Sequence, residues 1–393
     1  MKRAFGAAIL VSLLLCIFDR SQAQSGSNRT QLPSTQNATA SNDDRHSSLD
    51  AQANQELQRG TALTQQGKFS EAIPHLLAAR GRVANEYAAN FNLALSYVGS
   101  GAFEKAIPIL DDLRHHGHEN ADVENLLAQA YVGNAQPHEA LAALETAAAI
   151  SPLNEKLYLF VADACTDRQD YALGLKVIAI GLHNLPGSPR LHYERGMLLS
   201  HMDSFDRAKR EFEFVSKSAG ETEIGYVSAA ERSLFDGDIA AAIQSARKGL
   251  NKGFQTPVLL TILGEALLRS GVSPGQPEFA EAQAALEKSV AERPNDSSSQ
   301  IALGRLYLAA GRASDAIPHL EIARSMQPDR PAVYAALAKA YQRRGDQQAA
   351  QQALATLEKL NLARAEQIRS APGERKQSYG GGEPEDETPP PHQ

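Results

Sequence analysis

A 34-residue unit recurs nine times between positions 53 and 364, and this period constrains the fold more than any other feature of the chain. Copies beginning at 53, 87, 121, 155, 189, 223, 257, 297 and 331 all carry Gly or Ala as their eighth residue. These are Gly60, Ala94, Ala128, Ala162, Gly196, Ala230, Gly264, Gly304 and Ala338. A second column of small residues lies twelve positions further on: Ala72, Ala106, Ala140, Gly174, Ala208, Ala242, Ala282, Ala316 and Ala350. Copy seven keeps this phase only across a six-residue insertion around Val272-Ser273-Pro274-Gly275-Gln276-Pro277. Self-similarity at a fixed period marks a repeat array, in which one unit cannot bury its apolar face and neighbours must stack.

Each copy holds two apolar stripes at helical spacing, for example Leu93 and Tyr97 followed by Ile107 and Leu110. Between the stripes, six copies place a glycine: Gly67, Gly101, Gly237, Gly271, Gly311 and Gly345. Glycine accepts the left-handed backbone that ends a helix, so each unit is expected to be two helices joined by a tight turn. Pro152, Pro186, Pro294 and Pro328 close the second helix, whereas copies two, five and six have His118, Gly220 and Phe254 there. The two small columns mark where the helices of a unit approach closely. Leucine at Ala316 should therefore overpack the contact at a cost of roughly 1–3 kcal/mol, while Gln300→Leu should be mild.

Copy eight, Ser297 to Arg330, contains Leu303-Gly304, Tyr307, Gly311, Ala316, Leu320, Ala323 and Pro328. This pattern resembles the tetratricopeptide repeat, and the resemblance covers about four-fifths of the chain. It implies an all-α fold: a right-handed superhelical α-solenoid of nine helix-turn-helix repeats over residues 49–370. The first helices of the repeats would line a concave inner face, and Lys209, on a second helix, would lie outside. Tryptophan, common at the fourth position of the family, is absent here and is replaced by residues such as Tyr158, Tyr226 and Tyr334.

The resemblance also implies that positions two, five, nine, twelve and thirteen of each first helix face the groove. Carried over by position, the groove-lining set includes Phe91 and Leu95 in copy two, and Leu159, with Asp163 and Asp167, in copy four. Tyr193 and Met197 come from copy five, and Val227 and Phe235 from copy six. Arg269, Arg305, Lys339 and Arg343 come from the last three copies. This gives an apolar middle with acidic punctuation and a basic end, suited to a peptide or helix with apolar anchors. Family members that grip a C-terminal carboxylate use a fixed Lys/Asn set. Here only Asn92 matches it, so that mode is not indicated.

Lys2 and Arg3, the apolar run Ala4 to Phe18 and Ser21-Gln22-Ala23 read as a secretory signal peptide over residues 1–23, with maturation at Gln24. The Ser/Asn/Gln-rich stretch 24–48 reads as a disordered linker, and 371–393, with its triple glycine, acidic run and triple proline, as a disordered tail. Cys165 is then the one cysteine of the mature chain, a buried small hydrophobe. His115-His116-Gly117-His118 is a dense histidine cluster in an inter-repeat turn, without the converging fourth ligand that structural zinc requires.

The net charge is −7 without a basic stripe, which argues against nucleic acid. No phosphate-binding glycine loop or nucleophile elbow stands outside the repeat positions. The reading therefore assigns no catalytic, cofactor or metal residues. It expects a non-enzymatic scaffold or adaptor of the cell envelope, periplasmic or secreted, with no membrane span after signal cleavage. The alternative is a substrate-presenting subunit of a separate envelope enzyme such as a glycosyltransferase or protease. The partner and the oligomeric state stay open.

Overall fold

The computed structural model describes residues 42–370, with side chains over 51–366. The expected signal peptide, the tail and most of the expected linker lie outside the described residues. The first helix begins at Asn42, inside the segment read as linker. Among the described residues there are eighteen α-helices and no strand, so the all-α reading holds. The chain divides into two units between Ala266 and Leu267.

The first unit holds the helix pairs α1 (Asn42–Gln65) with α2 (Phe69–Ala79), α3 (Glu86–Gly99) with α4 (Phe103–Leu113), and α5 (Ala121–Gly133) with α6 (Pro137–Ile150). It continues with α7 (Glu155–Asp167) and α8 (Tyr171–Asn184), α9 (Pro189–His201) and α10 (Phe205–Ser218), and α11 (Glu223–Asp236) and α12 (Ile239–Asn251). Helix α13 (Pro257–Arg269) spans the division. The second unit contains α14 (Pro277–Glu292), α15 (Ser297–Ala309), α16 (Ala313–Met326), α17 (Pro331–Arg344) and α18 (Gln347–Ser370). The helices thus follow the nine 34-residue copies, and the copy-seven insertion falls in the turn between α13 and α14.

The two small columns are where the helices of a pair meet. Ala94, Ala128, Ala162 and Ala230 are fully buried, as are Ala106, Ala140, Ala208 and Ala316. Where the eighth residue is glycine, the partner helix presses closer still. A Cβ on Gly196 would stand 2.7 Å from Cε1 of Phe212, and one on Gly304 would stand 2.7 Å from Cγ of Leu320. Bulk at position twenty-four of the copy, on the second helix, is thus accommodated by the missing methyl at position eight, on the first.

The turn inside each pair has a left-handed residue at the fifteenth position of the copy, and the lengthened turn of copy seven adds a second at Gly275 (φ 94°). Six copies use glycine there, such as Gly237 with φ 77° and Gly345 with φ 87°. Copies three, four and five hold the same backbone with Ala135 (φ 59°), Gln169 (φ 61°) and Asp203 (φ 58°). The conformation therefore belongs to the repeat geometry rather than to glycine, and a side chain with a Cβ is strained in it by about 1–2 kcal/mol.

The fourth position, vacated by tryptophan, has its own recurrent task. Tyr158 Oη donates to the Pro152 carbonyl at 2.8 Å, and Tyr334 Oη to that of Pro328 at 2.6 Å. Gln300 Nε2 donates to the Pro294 carbonyl at 2.7 Å, and His192 Nε2 lies 2.9 Å from the Pro186 carbonyl. Every proline that closes a second helix is thus followed, six residues on, by a side chain that satisfies its carbonyl. Each such bond contributes about 1 kcal/mol. Tyr226, whose preceding copy ends at Gly220 instead, packs beside Phe254 with ring centroids 6.2 Å apart.

This geometry corrects the reading of Gln300 as a tolerant site. Gln300 is 1% exposed, and its Oε1 lies 2.7 Å from His319 Nδ1. Leucine there would leave both the Pro294 carbonyl and His319 without their partner.

Candidate functional site: an aromatic and acidic face of the first unit

Three of the groove residues come together in the first unit. Tyr193 and Met197 lie one turn apart on α9, and Phe235 is the penultimate residue of α11. All three are half-buried and pack on a small cluster of Leu199, Ala208 and Phe212. The Phe212 ring is the hinge of the group: its centroid is 5.7 Å from Tyr193 and 5.8 Å from Phe235, the latter stacked at 7°. Phe205, which opens α10, adds its ring 5.5 Å from Phe235 and stays 45% exposed. Met202, in the turn before it, is also exposed. Phe205 and Met202 thus add exposed apolar surface to the half-buried Tyr193, Met197 and Phe235.

Helices α7 and α9 also carry three carboxylates. Asp163 and Asp167 lie one turn apart on α7, and Glu194 follows Tyr193 on α9. None of the three side chains has a hydrogen bond or ion pair among the described residues. Burial, then Glu194, then Asp167, hold the Asp163 carboxyl far above the ordinary carboxylate range. Burial raises Glu194 in the same direction and pushes Asp167 up to about 6. Asp167 nevertheless keeps a solvent-exposed surface.

The remaining sequence-derived groove residues are placed differently. Phe91 and Leu95 are buried in the large core of the first unit, and Leu159 packs against that core. Val227 is 4% exposed. In the second unit Arg269, Arg305, Lys339 and Arg343 keep exposed surface. Arg343 donates through Nη1 to the Leu308 carbonyl, which ties one repeat to the preceding one. Arg168 Nη1 does the same to the Gly133 carbonyl at 2.7 Å, again 35 residues back. Asn92 donates to the carbonyl of Ala88 in its own helix at 2.8 Å.

Two further expectations meet the structure here. Lys209, placed on the outer face from its position, lies 3.3 Å from Asp206 on its own helix and 3.2 Å from Asp236 at the end of α11. The histidines of the inter-repeat turn point to separate partners. His115 Nδ1 lies 2.6 Å from the Asp111 carbonyl, His116 Nδ1 lies 2.8 Å from that of Asp112, and the His118 ring packs 5.1 Å from Tyr87. Cys165 is fully buried, and burial followed by Asp170 and Asp163 pushes its thiol up to about 12. A thiol held that high is not a nucleophile at neutral pH.

Sequence reasoning missed Glu194, Phe205 and Met202. Glu194 is the sixth residue of its copy, a position the groove pattern does not include. Phe205 and Met202 belong to the turn and the second helix, where the periodic signal predicts packing rather than exposure.

Comparison with known proteins bears on the fold. Among curated protein sequences, none matches this chain. Among solved structures, the Cut9–Hcn1 hetero-tetramer of the APC/C is similar at 15% identity, covering 77% of this chain and 60% of that chain, with a TM-score of 0.44. This chain thus spans less than two thirds of that relative. A tetratricopeptide repeat protein from Parabacteroides merdae is similar at 18% identity, over 66% of this chain and 99% of that one, with a TM-score of 0.45. Yeast Tom70 is similar at 15% identity, over 81% and 68%, with a TM-score of 0.49. Two family models described as the tetratricopeptide repeat match the sequence, one at residues 63–130 and 307–370, the other at 125–189 and 275–331. Together they cover more than half of the chain, and their matches fall on the helix pairs described above: the chain belongs to the tetratricopeptide repeat family.

Proposed function

We propose that this protein is a non-enzymatic scaffold or adaptor of the cell envelope that holds a segment of a partner protein against the first helices of its repeats. The tetratricopeptide fold is generally a non-catalytic interaction scaffold. The observation that carries the reading is the half-buried set Tyr193, Met197 and Phe235, extended by exposed Phe205. Such side chains gain apolar burial only when something else covers them. The envelope location rests on the charged start, the apolar run and the small-residue cleavage motif of residues 1–23. Among the described residues, no helix is long and apolar enough to cross a membrane.

Affinity capture from cells with the wild-type chain and with a Tyr193→Ser, Phe235→Ser variant tests the binding face. A partner retained by the first and lost by the second, at matched folding by circular dichroism, supports the reading. A partner retained equally by both places the interaction elsewhere. Sequencing the N-terminus of the protein recovered from the envelope fraction tests the address, with Gln24 as the expected first residue.

A further inference from the structure

The helices that carry the aromatic face also carry carboxylates that no described residue neutralises, and this combination narrows what covers it. Asp163, Asp167 and Glu194 crowd one place on α7 and α9, without a hydrogen bond or ion pair among the described residues. Like charges packed together and partly desolvated are unfavourable unless a cation is supplied. Tyr193 precedes Glu194 on α9 and Met197 follows it one turn on, so a segment laid along α9 that reaches the carboxylates runs next to the apolar residues. The carboxylates reject a segment that is purely apolar or acidic. The exposed ring of Phe205 and the half-buried ring of Phe235 leave apolar surface uncovered by one that is purely hydrophilic.

We propose that this face of the first unit seats a partner segment that brings a Lys or Arg side chain to Asp163, Asp167 and Glu194 and an apolar side chain to Tyr193, Met197 and Phe235. The proposal rests on the groove-binding reading above and adds the chemistry of the partner. A cation placed among three unpaired carboxylates replaces their mutual repulsion with attraction. The long alkyl stem of Lys or Arg lies along apolar surface while its head reaches the charge, which suits a carboxylate group edged by aromatic rings. Fine discrimination against acidic segments follows from the same charges.

The test measures fluorescence anisotropy of the full chain with three labelled decapeptides: alternating Leu and Lys, alternating Leu and Gln, and alternating Ser and Lys. The Leu/Lys peptide is expected to bind about ten-fold more tightly than either of the others. Asp163→Asn combined with Asp167→Asn should weaken the Leu/Lys peptide about ten-fold and leave the Leu/Gln peptide unchanged. Asparagine keeps the shape and removes repulsion, so the variant should fold at least as stably, as thermal unfolding will show. Equal binding of the Leu/Lys and Leu/Gln peptides, binding of none, or an unchanged affinity in the double variant overturns the proposal. So does tight binding of Ser/Lys alone, which would mean that only charge is read. If the peptides show no preference while a partner is still captured through Tyr193 and Phe235, the cation requirement falls and the groove reading stands.

Discussion

Ala135, Gln169 and Asp203 show how far the repeat imposes its geometry on single residues. All three occupy the left-handed turn that glycine fills in the other six copies. Ala135→Gly and Gln169→Gly should therefore each stabilise the protein by about 1 kcal/mol, because the strain relieved outweighs the added freedom of the unfolded chain. Asp203→Gly should gain less, since Asp tolerates this region better. Thermal unfolding checks the order, and a loss of stability in Ala135→Gly would contradict it. The position of the turn was legible in the sequence from the six glycines. The three exceptions were not, because Ala, Gln and Asp carry no signal for a left-handed backbone. Likewise, tyrosine at the fourth position could be read as a substitute for tryptophan. Its bond to the preceding proline carbonyl could not, since that depends on how two consecutive copies dock.

At the scale of the element, the helix pair stands or falls on its small residues. Ala316 is fully buried between α15 and α16, while Ala335, mid-way along α17, is exposed. Ala316→Leu should lower stability by about 1–3 kcal/mol, and Ala335→Leu should change it little, because helix propensity is nearly equal and only the first meets a packed neighbour. Denaturant unfolding of the two variants distinguishes them, and equal losses would mean that the pair does not meet where described.

Helices α7 and α9 carry the opposite kind of constraint. The carboxyls of Asp163, Glu194 and Asp167 are all raised in the folded state by burial, and Asp163 also by its two acidic neighbours. The folded state then binds more protons than the unfolded one between the ordinary carboxylate range and these raised values. Their contribution to stability is complete at acid pH and is lost as pH rises through that window. Asp163→Asn removes part of this loss. The variant should melt higher than wild type at about pH 8, and the difference should shrink toward about pH 5. A difference that is constant with pH, or larger at the acid end, would contradict the placement of these carboxylates. The sequence pointed to Asp163 and Asp167 through their groove positions. It was silent on Glu194, whose role arises from the packing of α9 against α7 rather than from its place in the period.

Across the whole molecule, one 34-residue rule accounts for the helices, their pairing and the two small columns, and this is why so much of the fold could be read from the sequence. The proposed working surface is less legible. The period describes what all copies share, while a binding face consists of what a few copies have that the rest lack. Phe205, Met202, Phe235 and Tyr193 are such departures, and they gather in copies five and six. Groove positions alone also over-predicted: Phe91, Leu95 and Val227 satisfy them yet are buried.

The most direct measurement of the central claim is site-specific photo-crosslinking in living cells. The photoreactive residue is placed at Tyr193 or Phe235 on the aromatic face and, as control, at Ala149, an exposed residue of α6. The account predicts one dominant protein adduct from positions 193 and 235 that is absent from 149. Scattered adducts, or the same adducts from all three positions, would contradict it and show that the aromatic and acidic face is not where the protein holds its partner.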